Sequence, residues 1–124
     1  MQFEDNFFDF ILCNHVLEHI VDDTKAMKEL YRVLKRKGTA ILQVPINIGR
    51  DKTFEDNNIL TKKERTEKFG QYDHVREYGL DYYTKLESIG FSVEKNNYAS
   101  KFNENDINKY GIVRDEIIPI CKKN

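Results

Sequence analysis

Two spacings of hydrophobic residues alternate along this chain, and each predicts a different element. Residues 8–13 (FDFILC) form a short, almost continuous apolar run that stops at polar Asn14, the pattern of a buried β-strand. The next apolar residues, Ala26, Met27, Leu30, Tyr31 and Leu34, recur at intervals that line one face of a helix, and Asp22 or Asp23 is placed to start it. Lys35, Arg36 and Lys37 suit the negative end of the helix dipole, and Gly38 offers a left-handed stop. Residues 39–44 (TAILQV) read as a second strand, closed by Pro45. Strand, helix and strand with short joints predict a right-handed parallel crossover.

Past Pro45 the spacing loosens. Residues 46–75 are longer than an ordinary connection, so they predict a loop or lid insertion within a single domain spanning 1–124. Inside it, residues 61–69 (TKKERTEKF) favour a charged surface helix. A further helix starts at Glu77 or Asp81, turns Tyr82, Leu86 and Ile89 inward, and ends at Gly90. Residues 91–94 (FSVE) alternate, and residues 116–121 (EIIPIC) form a last apolar strand in which Pro119 signals a bulge or an edge. The pattern adds up to one α/β domain with about four strands.

Composition narrows the functional classes. With 40% hydrophobic residues and a formal charge of −1 over 124 residues, the chain can bury a modest core and carries no basic stripe for nucleic acid. Its apolar runs are too short to cross a bilayer, and the opening residues MQFEDN lack a secretory signal, so a cytoplasmic location is the expectation. Cys13 and Cys121, far apart in sequence, are expected as reduced thiols on strands.

The string NHVLEH, residues 14–19, matches H-x-x-E-H, a spacing in which two histidines hold a metal and a glutamate works on water. Such a site needs a long helix through both histidines. Here the string follows a strand directly, and Asp22 and Asp23 start a new helix three residues after His19, so at most one or two turns remain. His74 or a carboxylate would have to complete a metal site. The expected role for at least one histidine is therefore structural, with no metal.

Taken together, the run FEDNFFDFILCNHVLEHIVDDTKAMKELYRVLKRKGTAILQVP, residues 3–45, resembles the second half of the class I S-adenosylmethionine-dependent methyltransferase domain, in particular the methyltransferase type 11 group. Its acidic-aromatic lead, its FD pair opening a strand, its turn, its helix E-L-x-R-V-L-K and the glycine-containing turn that follows carry the likeness. FGQYDHVREYGLDYYTKLESIGFSV, residues 69–93, is similar to the loop, helix and sixth strand of one branch of that group. The resemblance implies a partial Rossmann-like methyltransferase sheet, strands 4-5-7-6 of a seven-stranded fold. It also implies S-adenosylmethionine as cofactor, bordered by Cys13, Asn14 and His15 at the carboxyl end of the fourth strand, where ligands of open α/β sheets sit.

The cluster YDHVREYG supplies the candidates for acceptor contact: Asp73, His74, Arg76 and Tyr78, with His74 as a catalytic base near neutral pH and Arg76 as a grip for a carboxylate or phosphate. In the bland reading Asp73 caps a helix and His74 packs in the loop. Asn47, Arg50 and Asp51 are further candidates for the same wall.

The glycine-rich cofactor loop of the resembled fold has no counterpart here, since the six glycines, at 38, 49, 70, 79, 90 and 111, include no G-x-G. The expectation is a truncated or split methyltransferase for a small-molecule acceptor, binding free cofactor poorly by itself. The strand at residues 8–13 would then expose an apolar edge that makes a homo-oligomer or takes up a missing N-terminal half. The alternative is a non-catalytic remnant that uses that edge as an oligomerisation or partner-binding module.

Overall fold

A computed structural model describes residues 1–124. Its main sheet has four strands in the order β1 (Phe8–Leu12), β2 (Leu34–Ile41), β6 (Ile118–Lys122), β5 (Ser92–Asn96). β1 and β2 are parallel, and β6 runs antiparallel to both β2 and β5. This is the 4-5-7-6 arrangement implied by the resemblance. Helices α1 (Asp23–Val33) and α3 (Tyr82–Ile89) pack on it around Leu17, Met27, Leu34, Leu42, Tyr82, Leu86 and Cys121.

Local chemistry explains the helix starts. The Asp22 carboxylate accepts from the Lys25 N–H at 2.9 Å, and the Thr61 hydroxyl caps α2 (Lys62–Phe69) by accepting from Glu64 N–H. α2 ends at Gly70 in the left-handed region, as a glycine after a charged helix predicts. A fourth helix, α4 (Glu104–Tyr110), capped by Asn103, has no counterpart in the sequence reading, because its polar sequence ENDINKY shows no apolar stripe.

The end of α1 corrects an expectation. Gly38 does not stop the helix: α1 ends at Val33, and Leu34, extended at φ −73° and ψ 133°, opens β2 at once. The carbonyls of the last turn find donors elsewhere: Arg32 C=O accepts from Asn6 N–H, Val33 C=O from Phe7 N–H, and the Lys123 ammonium reaches Tyr31 and Arg32 C=O. With those acceptors satisfied from outside, a glycine cap is unnecessary. The left-handed residue nearby is Lys37, at φ 64°, while a side chain at Gly38 would meet Leu34 Cδ1 and Lys35 C=O at 2.8 Å.

Pro119 gives a second correction, since it lies in β6, inside the sheet and at no bulge. The β2–β6 register pairs Ile41 with Ile120, which sets Leu42 opposite Pro119. Leu42 N–H donates to Pro119 C=O at 3.4 Å, but proline has no N–H to return to Leu42 C=O. The buried Tyr82 hydroxyl supplies that bond at 2.6 Å from α3. Tyr82→Phe should therefore leave a buried carbonyl unpaired and lower stability by about 1–3 kcal/mol, read as an earlier midpoint in urea with an unchanged slope.

β1 is an edge strand, as the resemblance to a partial sheet implies, and not buried on both sides as its apolar run by itself suggests. β1 pairs only with β2, and Phe10 and Leu12, two residues apart and so on one face, are 54% and 62% exposed. Residues 46–75 hold β3 (Phe54–Glu55) and α2. β3 pairs antiparallel with β4 (Arg76–Glu77) in a small second sheet. No helix is long and apolar enough to cross a membrane. Both thiols are free. Cys121 lies on β6 and burial pushes it up to about 12, and Cys13 sits just past β1, raised by burial and by Glu18.

Candidate active site beyond the carboxyl ends of β1 and β2

Past Leu12 the chain stays beside the β2 segment, with Cys13 N–H on Ile41 C=O and His15 N–H on Gln43 C=O. It then turns sharply. His15 takes a left-handed φ of 52°, a conformation seldom held by a residue other than glycine and met often where a site is being shaped. A single 3-10 turn follows at Leu17–His19, which confirms that no long helix runs through the H-x-x-E-H string.

The turn is held from a distance by the segment around β4. Val75 N–H donates to Glu18 C=O, and the Arg76 guanidinium donates to Leu17, Ile20 and Val21 C=O at 2.6–2.8 Å while its Nε bonds Glu55. Arg76 is 2% exposed, so four of its five N–H groups are spent inside the protein. It is a clamp on the turn, which corrects its expected role as a grip for a substrate anion.

Tyr78 is corrected on the same ground: it is buried and its hydroxyl donates to Asp23 at 2.5 Å. Burial followed by the bond to Asp23 pushes its pKa far up. For Asp23 burial alone would raise the pKa, but hydrogen bonds from Lys85 and Tyr78 and the charges of Arg76 and Lys85 hold it below the usual carboxylate range.

The clamp brings all three histidines of the chain to one carboxylate. Glu18 is 2% exposed. His15 Nδ1 lies 3.7 Å, His19 Nε2 3.6 Å and His74 Nε2 4.0 Å from its Oε1. The His19 and His74 rings meet edge to face at 4.7 Å. On its other side His19 Nδ1 lies 3.1 Å from Asp73 C=O. Asp73 does not cap a helix; its carboxylate accepts from Gln71 and lies 3.4 Å from His19 Nδ1.

A cavity of about 340 Å³ opens beside this group, lined by Glu18, His74, Gln71, Asn47, Glu77 and one side of Arg76 among others. Asn47 and Arg50 both bond Glu77, and Asp51 is exposed. Cys13 faces a different groove of about 430 Å³, mainly apolar, with Met1, Val16, Leu17, Ala26 and Leu30. His15 also lines a third hollow with Val44, Pro45 and Ile117. Of the residues singled out in the sequence, then, His15 and His74 meet at Glu18, Asp73 joins them only through His19, Cys13 turns elsewhere, and exposed Asn14 stands between. Sequence reasoning weighed Glu18 and His19 through the H-x-x-E-H string, with His74 as a possible third member, and set them aside because no long helix runs through the string; the fold instead brings His74 to them from 55 residues away.

The architecture matches solved proteins over nearly its whole length. A candidate methyltransferase of Bacillus halodurans is 18% identical, with a TM-score of 0.59 covering 100% of this chain and 68% of that one. An S-adenosylmethionine-dependent methyltransferase of Mesorhizobium loti is 12% identical, with a TM-score of 0.61 covering 98% of this chain and 65% of that one. Residues 1–42 match the family model described as a methyltransferase domain. This is the class I methyltransferase fold. In methyltransferase terms the sheet described above is the carboxyl-terminal part of the domain, and the histidine cluster lies where strand four of such a sheet ends. An uncharacterised protein of Methanocaldococcus jannaschii is 41% identical over 64 residues, which are 50% of this chain and 28% of that protein. The match thus spans little more than a quarter of that relative's length.

Proposed function

We propose that residues 1–124 form the acceptor-side part of an S-adenosylmethionine-dependent methyltransferase acting on a small molecule. The observation that carries this reading is the polar cavity at the carboxyl ends of β1 and β2, with His74 and Glu18 in its wall, on a methyltransferase fold. Methyl transfer moves a carbon from a sulfonium to a nucleophile, and most of its acceleration comes from holding donor and acceptor in line. His74 is placed to take the proton of an acceptor hydroxyl or amine, and Asn47 and Gln71 offer neutral hydrogen-bonding groups on the same wall.

The residues fit one side of a cofactor site. Cys13 and His15 have their N–H groups committed to Ile41 and Gln43, so they would meet S-adenosylmethionine through side chains and carbonyls, while the N–H of Asn14, between them, has no backbone partner and is free to donate. That is a modest set of contacts, and free cofactor would bind residues 1–124 weakly until a second chain or segment covers β1. The exposed apolar face of β1 favours a second reading, a module that binds a partner through this strand and does no chemistry.

Titration with S-adenosylhomocysteine, with the mass of the species followed by light scattering in the same buffer, separates the two. Micromolar binding to an assembled species supports the enzyme. A folded assembly that takes up none at millimolar concentration overturns it in favour of the module.

A further inference from the structure

We propose that Glu18, His19 and His74 form a binding site for a divalent transition-metal ion of the zinc type. One ligand atom from each of the three falls within 4.8 Å of the others. Around a tetrahedral zinc with bonds of about 2.1 Å, neighbouring ligand atoms stand roughly 3.4 Å apart. The separations of 3.6 and 4.0 Å from Glu18 Oε1 to His19 Nε2 and His74 Nε2, and the spread of up to 4.8 Å across the three, would close to that spacing by side-chain rotation as the ion binds.

Glu18 is the second observation. Its carboxylate is buried and neither oxygen receives a hydrogen bond from the protein. A buried charge without a partner is costly, and such groups are found paired or on metals. The histidines do not fill the role by hydrogen bonding, because 3.6 and 4.0 Å are beyond the range of an N–H···O bond.

The orientation of His19 points the same way. Asp73 C=O can only accept, so His19 Nδ1 carries the proton of their 3.1 Å bond. In the neutral ring Nε2 then directs its lone pair at the Glu18 oxygen. Two lone pairs then stand 3.6 Å apart, which is repulsive until a positive charge, a proton or a metal ion, comes between them. A histidine that gives its other N–H to a backbone carbonyl is the usual form of a metal ligand.

The donor set narrows the ion. Two imidazole nitrogens and one carboxylate oxygen suit zinc, cobalt, manganese or ferrous iron over calcium or magnesium, which prefer oxygen throughout. Three protein ligands leave a position for a further ligand, as catalytic zinc sites do, and the adjoining cavity supplies the space. His15 Nδ1, on a half-exposed side chain, lies 3.7 Å from the same Glu18 oxygen. On the methyl-transfer reading, on which this sentence alone rests, the open position would take an oxygen of the acceptor, and the ion would acidify it in place of His74, whose Nε2 is then a ligand and no longer a base.

The experiment uses the full chain stripped of metal with a chelator and titrated with cobalt(II), followed by visible d–d absorption, then with zinc as competitor. One equivalent should bind, and zinc should displace it. Glu18→Gln and His74→Ala should each weaken binding by about tenfold or more, with Cys13→Ser unchanged as a control on the neighbouring groove. Glu18→Gln removes a buried charge, so it should fold at least as well as the parent, which separates lost binding from lost structure. No uptake of cobalt or zinc by the folded chain, or uptake that Glu18→Gln leaves unaltered, overturns the site. Neither result depends on any methyl transfer.

Discussion

Arg76→Ala should cost on the order of 3–5 kcal/mol, most of the margin by which a domain of this size is stable. The guanidinium is buried and joins three backbone carbonyls of the 17–21 segment to Glu55, with Asp23 3.6 Å from its Nε. Removing it leaves those acceptors unpaired and takes a counter-charge from a buried carboxylate. Thermal unfolding should show a midpoint lower by roughly 10–20 °C. Arg76→Lys should recover little, since an ammonium has three donors and no planar fork to span acceptors on three residues. A shift of only a few degrees in the alanine variant would mean that the clamp is dispensable and that the turn carrying Glu18 and His19 holds itself.

The second large effect concerns assembly. Phe10 and Leu12 stand exposed on one face of an edge strand, with Phe3 and Phe7 also exposed nearby. Bare apolar edges pair with another chain unless charges or bulges prevent it, and the one acid on the strand, Asp9, is tied to Lys35. The purified chain should therefore run as a dimer or larger species in light scattering at micromolar concentration. Phe10→Lys combined with Leu12→Lys should convert it to monomer, because two ammonium groups facing their own symmetry mates would have to be desolvated and would repel. Native chains that are already monomeric at that concentration would refute the proposed use of this edge.

Much of the scaffold was legible in the sequence. The crossover of β1, α1 and β2, the charged helix α2, and the helix ending at Gly90 follow from residue spacing, residue propensity, Asp22 and one glycine, which act within a few residues. Where the reading slipped, a distant group had intervened. Gly38 looked like a helix stop because the donors for Arg32 and Val33 C=O come from Asn6, Phe7 and Lys123. Pro119 looked like an edge because Tyr82, on another element, replaces its missing N–H.

The candidate site divides the same way. The sequence by itself determined that a histidine-rich turn follows the first strand, that a second histidine-containing segment lies downstream, and that the fold places strand ends beside a ligand. Only the tertiary structure decided which of those residues meet. Arg76 and Tyr78, polar in the sequence and free to reach a substrate, are turned inward to hold Asp23 and the turn. Glu18, an ordinary helix-like acid in the string, becomes a buried carboxylate with three imidazoles around it. The physical reason is range. Periodicity and capping are settled by neighbours within one turn of chain, whereas burial and convergence depend on which remote backbone donors and acceptors satisfy one another.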